Sequence, residues 1–178
     1  DDGIVIVFKV EEGTRFRVAK VSVEGDLIAD EQKLLSTTKL AVDAEKKDYL
    51  DRSHVRDDLK ALTDYYNNFG FAYAEANVRM NDHPEEKTVD VVFVMRKLQR
   101  VHIRRVLVEG NTKTRDNVIL REMRLADGDL FSGEKLKRSS ERLDKLGYFA
   151  AVDLEPVPTG NPEEMDLKVK VKDKDTGK

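Results

Sequence analysis

One five-residue run occurs twice, and that repetition constrains the fold more than any other feature of the chain. Val21-Ser22-Val23-Glu24-Gly25 returns 85 positions later as Val106-Leu107-Val108-Glu109-Gly110. At the same offset Val7-Phe8 matches Val92-Phe93, Arg15 matches Arg100 and Val18 matches Ile103. Farther on, Asn68-Phe69-Gly70-Phe71 answers Lys145-Leu146-Gly147-Tyr148 at offset 77, and Val89-Asp90-Val91 answers Met165-Asp166-Leu167 at offset 76. Self-similarity at a fixed period means tandem copies of one supersecondary unit. The first copy carries about eight extra residues between its Val-Glu-Gly and Gly-aromatic landmarks. The copies are assigned to residues 14–97 and 98–175. Residues 4–10, Ile4 to Val10, align with the last strand of the first copy. Residues 1–13 therefore read as the final strand of a preceding, truncated copy, and that apolar strand is expected to pair with a sheet edge.

Composition agrees with small repeated units. Hydrophobic residues make up 39% and charged residues 38%, a surface-rich balance that suits two modest cores better than one thick one. Cysteine is absent, which excludes disulfides, thiolate metal sites and a cysteine nucleophile. No apolar run approaches the roughly 20 residues that span a bilayer as a helix. The net charge of −3 provides no general attraction for nucleic acid.

Periodicity orders the elements. In the second copy Val106 and Val108 alternate with Leu107 and Glu109, a strand that stops at Gly110-Asn111. Thr114 is the expected N-cap of a helix through Leu125, and Asp127-Gly128-Asp129 breaks it. A second helix is expected from Ser132, with Leu136, Leu143 and Leu146 on one face and Gly147 at its end. Phe149 to Leu154 reads as a strand, and Pro156, Pro158, Gly160 and Pro162 as the connection to a final strand, Met165 to Val171. The first copy follows the same order: a short helix around Asp30 to Ser36, then a longer one over about 51–69. That longer helix has Val55, Leu59, Leu62, Tyr66 and Phe69 on its buried stripe. The directions of these elements place the third strand of each copy in the middle, parallel to the first and antiparallel to the second. Both helices then cover one face of the sheet.

Enzyme chemistry finds no foothold. His54, His83 and His102 fall on a helix start, a turn and a strand, without metal-ligand spacing. Asp57-Asp58 and Glu85-Glu86 sit in charged, solvated stretches, and no phosphate loop, nucleophile elbow or dinucleotide fingerprint occurs. The loop at residues 127–133 lacks the Gly-x-x-Gly spacing and the charge of a nucleic-acid clamp. A basic cluster of Lys135, Lys137, Arg138, Arg142 and Lys145 reads as a solvated helix face, or as an attraction for an acidic surface. The binding feature is instead the rim strand after each Gly-aromatic landmark, which has one neighbour and can accept an extended peptide through main-chain bonds. The candidate residues there are Phe71, Tyr73, Glu75, Asn77 and Arg79 in the first copy and Phe149, Ala151 and Asp153 in the second.

Several stretches together resemble the POTRA family. They are Val106 to Asn111, Leu120-Arg121-Glu122-Met123-Arg124, Gly128-Asp129, Leu143 to Phe149 with Val152, and Val169-Lys170-Val171-Lys172. Lys172 to Gly177 resembles the exit of the last such domain before an outer-membrane barrel. Gly70 to Ala74 with Asn81-Asp82 resembles the penultimate one. The resemblance implies an α+β fold of two tandem β-α-α-β-β domains, each a three-stranded mixed sheet with two antiparallel helices on one face. It implies a periplasmic location ahead of a barrel, to which residues 176–178 would lead. The implied partners are unfolded outer-membrane β-barrel proteins and accessory outer-membrane lipoproteins, the latter docking at Arg121, Glu122, Arg124 and Asp127. It implies no catalysis, cofactor, metal, small-molecule substrate or nucleic acid. The alternative is a spacer arm that makes no client contact.

Overall fold

The computed structural model describes residues 15–175, so the expected strand at residues 4–10 and the tail at 176–178 lie outside the described residues. The described chain forms two compact units, one of residues 74–98 with the chain up to 66, the other of residues 67–73 with the chain from 99 onward. The first unit is built from β1 (Arg17–Gly25), α1 (Glu31–Leu35), α2 (Leu40–Lys46), α3 (Arg52–Asn67), β2 (Glu75–His83) and β3 (Thr88–Arg96). The second contains β4 (His102–Glu109), α4 (Asp116–Glu122), α5 (Gly133–Lys145), β5 (Phe149–Pro158) and β6 (Glu164–Asp173). The strand orders are β1-β3-β2 and β4-β6-β5, with the central strand parallel to the first and antiparallel to the second.

The central strands carry the cores. Val89, Val91, Phe93 and Met95 of β3 are buried, as are Met165, Leu167, Val169 and Val171 of β6. Strand alternation puts each set on one face. In the second unit Ile119 of α4 and Leu143 of α5 pack with Phe149, Val169 and Val171. On α3 Val55, Leu62 and Tyr66 are buried and Leu59 half-buried, whereas Phe69 lies beyond the helix end and is exposed. Ser132 caps α5, its Oγ accepting from Lys135 N at 3.3 Å, and Gly147 follows the helix with φ +74°.

The Val-Glu-Gly repeat has a steric origin. Gly25 ends β1 and Gly110 directly follows β4, with φ +94° and +88°, in the left-handed region that side chains resist. A Cβ would sit 2.3 Å from Met95 O at Gly25 and 2.0 Å from Val171 O at Gly110. The repeat also extends to an irregularity invisible in composition. The β1–β3 register shifts between Val18 and Lys20, and the β4–β6 register shifts between Ile103 and Arg105, 85 positions later. The bulged residue of the second unit, Arg104, forms a two-pronged ion pair with Asp166 (Nε–Oδ1 2.9 Å, Nη2–Oδ2 2.7 Å), which holds the Asp166 carboxyl below its usual range.

Three expectations need correction. Thr114 does not cap α4, which starts at Asp116 and ends at Glu122. Its hydroxyl instead joins Thr112 Oγ1 and Lys113 N in donating to the Asp173 carboxylate, which depresses that carboxyl's pKa. The prolines at 156 and 158 are not a connection but part of β5, in register opposite Leu167 and Met165. A rim strand tolerates them because its outward amide positions have no partner to lose. Finally, the extra residues of the first copy form a third helix, α2. Buried Asp58 of α3 holds its start, accepting from Lys39 N (2.6 Å) and Leu40 N (2.8 Å). His54 Nδ1 meets Asp43 Oδ2 of α2 at 2.5 Å, and His54 Nε2 lies 3.6 Å from Asp51 Oδ2.

Two predictions follow from these constraints. Gly110→Ala should lower unfolding stability by more than 2 kcal/mol, roughly, because strain and backbone collision combine. Gly128→Ala, at φ +87° with nothing near its would-be Cβ, should cost only about 1 kcal/mol. Urea unfolding distinguishes them, and equal losses would remove the collision argument. The second concerns His54, whose pKa is raised, first by its hydrogen bond to Asp43 and further by the charges of Asp43 and Asp51, against desolvation and Lys39. A histidine with a raised folded pKa stabilises fully below about pH 6.5 and loses that contribution as pH rises through the folded value. The urea midpoint of the wild-type protein should therefore fall more between pH 6 and pH 9 than that of His54→Gln, and parallel profiles would contradict this.

Candidate functional site

Each three-stranded sheet has two rims, and every rim strand turns alternate backbone N–H and C=O groups away from its neighbour. One rim of each unit is partly bonded to the unit's own chain. Along β1, Val18 N donates to Asp48 O (2.9 Å), Leu50 N to Phe16 O (2.8 Å) and Val23 N to Glu31 Oε2 (2.9 Å). Along β4, Ile103 N donates to Asp129 O (2.7 Å), Gly128 N to Ile103 O (2.7 Å) and Val106 N to Asp127 Oδ1 (2.8 Å). In both units the segment between helices folds back and bonds to the start of the first strand, with a carboxylate, Glu31 or Asp127, taking one amide farther along. At the opposite rims β2 pairs with β3 and β5 with β6. No backbone of the described residues hydrogen-bonds to their outer side.

The prolines reveal which backbone groups face out. Pro156 and Pro158 have no N–H and so take the outward positions of β5. Alternation from them makes Val152 and Leu154 outward-facing too. In the first unit Val78 opposite Phe93 holds the place of Leu154 opposite Val169, so Ala76, Val78, Met80 and Asp82 turn their backbone outward. Sequence reasoning missed these residues, because it selected the alternate set. Glu75, Asn77 and Arg79, with Ala151 and Asp153, spend their backbone on the sheet and put their side chains on its solvent face. There Glu75 pairs with Arg96 (3.2 Å) and Arg79 with Glu24 (3.2 Å).

Phe71 and Tyr73 precede β2, which starts at Glu75. Phe71 is buried with the Arg100 guanidinium 5.1 Å above its ring, and Tyr73 is exposed. Phe149 is buried at the start of β5. Beside the outward stretch of β5 runs an open cleft of roughly 350 Å³ against α5, lined by Gly133, Leu136, Lys137, Ser140, Val152, Asp153 and Leu154.

The four candidates around α4 divide by role. Arg121 and Arg124 are exposed. Glu122 is half-buried and clamped by Arg142, which reaches its carboxylate (3.0 Å) and its carbonyl (3.1 Å). Asp127 spends its carboxylate on Val106 N, so it maintains the sealed rim. Within the basic cluster Arg138 pairs with Glu134 at 3.6 Å, while Lys135, Lys137 and Lys145 are exposed. His83 pairs with Asp90 (2.9 Å) and has its pKa raised by that hydrogen bond, and His102 lies exposed on β4. Among the described residues no group of three histidine or acidic side chains is arranged to hold a metal ion.

Comparison with known proteins agrees with this architecture. The POTRA model, described as surface antigen variable number repeat, matches residues 16–97 and again 101–174. The chain is 51% identical, over 99% of its length, to the outer membrane protein assembly factor BamA of Nitratidesulfovibrio vulgaris. It is 35% identical, over 97%, to that of Neisseria meningitidis serogroup B. It spans about a fifth of the length of these relatives, 22% and 21%. Among solved structures, POTRA domains 3–5 of Haemophilus influenzae BamA superpose with a TM-score of 0.76 at 25% identity, covering 89% of this chain and 61% of that one.

Proposed function

The chain belongs to the POTRA family, and from that premise we propose that it is a periplasmic, non-enzymatic module of an outer-membrane β-barrel assembly machine. In this reading it binds unfolded barrel proteins by strand addition and docks accessory lipoproteins. The single observation that supports client binding is the asymmetry of the rims. Each unit bonds the start of β1 or β4 to its own chain and leaves β2 or β5 without a backbone partner on the outer side among the described residues. Main-chain pairing makes little demand on the incoming sequence, which suits a machine that handles many different barrel strands. Relatives that carry the name of an outer membrane protein assembly factor favour the same location and clients.

Lipoprotein docking is assigned to the α4 surface, through exposed Arg121 and Arg124 beside the Glu122–Arg142 pair. Charged groups there suit a specific polar interface. Asp127 is better regarded as a strut of the sealed rim than as a contact, given its bond to Val106 N. The alternative of a passive spacer keeps the fold and loses the client.

Site-specific photo-crosslinking in the assembled, full-length protein separates the two readings. A crosslinker at Asn77, on the open rim strand, should trap a nascent outer-membrane barrel protein several times more efficiently than one at Lys20, on the sealed rim strand. In the same cells Arg124→Glu should reduce lipoprotein co-purification. Equal trapping at both positions would favour the spacer, and undiminished co-purification would remove Arg124 from the docking surface.

A further inference from the structure

The two open rims are not chemically equivalent. β2 offers four outward amide donors, on Ala76, Val78, Met80 and Asp82, and contains no proline; Pro84 falls just past its end. β5 is ten residues long, but two of its four outward positions from Val152 onward are Pro156 and Pro158. A proline there still presents its carbonyl, yet it has no hydrogen to donate.

We propose that Pro156 and Pro158 act as a stop on strand addition at the second unit. The β5 rim thereby takes an extended segment over only about four residues, at Ala151 to Leu154, whereas β2 pairs along its whole length. This inference rests on the strand-addition reading and specifies its partner at this rim: a short extended segment with an apolar side chain.

The position of the cleft gives that specification. It is lined by Val152, Asp153 and Leu154 of β5 and by Leu136, Lys137 and Ser140 of α5, so it coincides with the two amide donors and not with the prolines. A residue added opposite Val152 or Leu154 places its side chain on the helix face of the sheet, where the half-buried Leu136 meets it. Lys137 at the same cleft has no carboxylate partner among the described residues, which favours an acidic neighbour in the incoming segment. Past Leu154, each carbonyl of a longer strand that aims at an outward proline goes unmatched. The device also protects the free protein, since a proline-blocked rim is a poor template for pairing with a second copy.

Amide NMR of the full 178-residue chain, titrated with a ten-residue peptide of alternating threonine and valine bearing one aspartate, tests this. In the wild-type protein the peptide should shift the Val152 and Leu154 amides and leave those of residues 157–160 unmoved. It should also shift the run from Ala76 to Asp82 on β2. In Pro156→Val/Pro158→Val the affected stretch should extend to residue 158, with affinity at that rim rising roughly tenfold or more as two hydrogen bonds are gained. Pro156→Ala/Pro158→Ala restores the same donors without β-branched bulk and serves if the valine variant folds poorly. A wild-type response running through Thr159, or no gain in either variant, would overturn the proline stop. A response on β2 with none on β5 in any form would also overturn it but leave strand addition standing. A peptide that moves neither rim would remove both.

Discussion

A strand held on one side only must satisfy its remaining backbone groups with its own chain, with water or with another chain. In both units that constraint is met unevenly, and the unevenness organises everything else. The segment between the helices returns along the start of β1 or β4 and covers it with bonds of 2.7–2.9 Å, supplemented farther along by Glu31 or Asp127. Because the first strand is partly bonded and the third is central, the second strand is the one left with a fully exposed ladder among the described residues. The position of the open rim follows from the order β-α-α-β-β and needs no dedicated binding loop.

Once the rims are fixed, side-chain chemistry adjusts how each is used. The glycines at 25 and 110 let the chain leave the sheet against the carbonyls of Met95 and Val171. From there it enters the helical segment that seals β1 or β4. The bulges at the same place in β1 and β4 are part of that shared frame. The differences between the units lie at the periphery. The first gains α2, secured by Asp58 and His54 from α3; the second gains prolines in β5 and a cleft edged by Lys137. One scaffold therefore presents two rims of different length and different neighbouring charge.

Much of this was legible in the residues. Two copies of Val-Glu-Gly, the leucines of α5 and the alternation of β6 are sufficient for the repeat and the topology, since those signals depend on steric and periodic rules that act locally. The departures arise where distant partners decide. Helix α2 is short and polar, and its start rests on a carboxylate 18 residues ahead, Asp58, which no local pattern announces. Pro156 and Pro158 read as a turn because a proline is excluded from a paired strand, and only the sheet order shows that β5 is a rim. The rim strands are expected to pair through their main chain, but which alternate residues turn their backbone outward is set by the register with β3 and β6, and these are Ala76, Val78, Met80, Val152 and Leu154. Asp127 is expected as a lipoprotein contact, and its bond to Val106 N emerges only from the folded geometry.

Residue-resolved amide hydrogen exchange in the isolated chain tests the central asymmetry most directly, because it reports each backbone donor separately. Val18, Val23, Ile103 and Val106 should exchange slowly, at rates comparable with the central strands. Val78, Met80, Val152 and Leu154 should exchange orders of magnitude faster although their strands are folded. Strong protection of those four outward amides, or rapid exchange along β1 and β4, would contradict one sealed and one open rim in each unit.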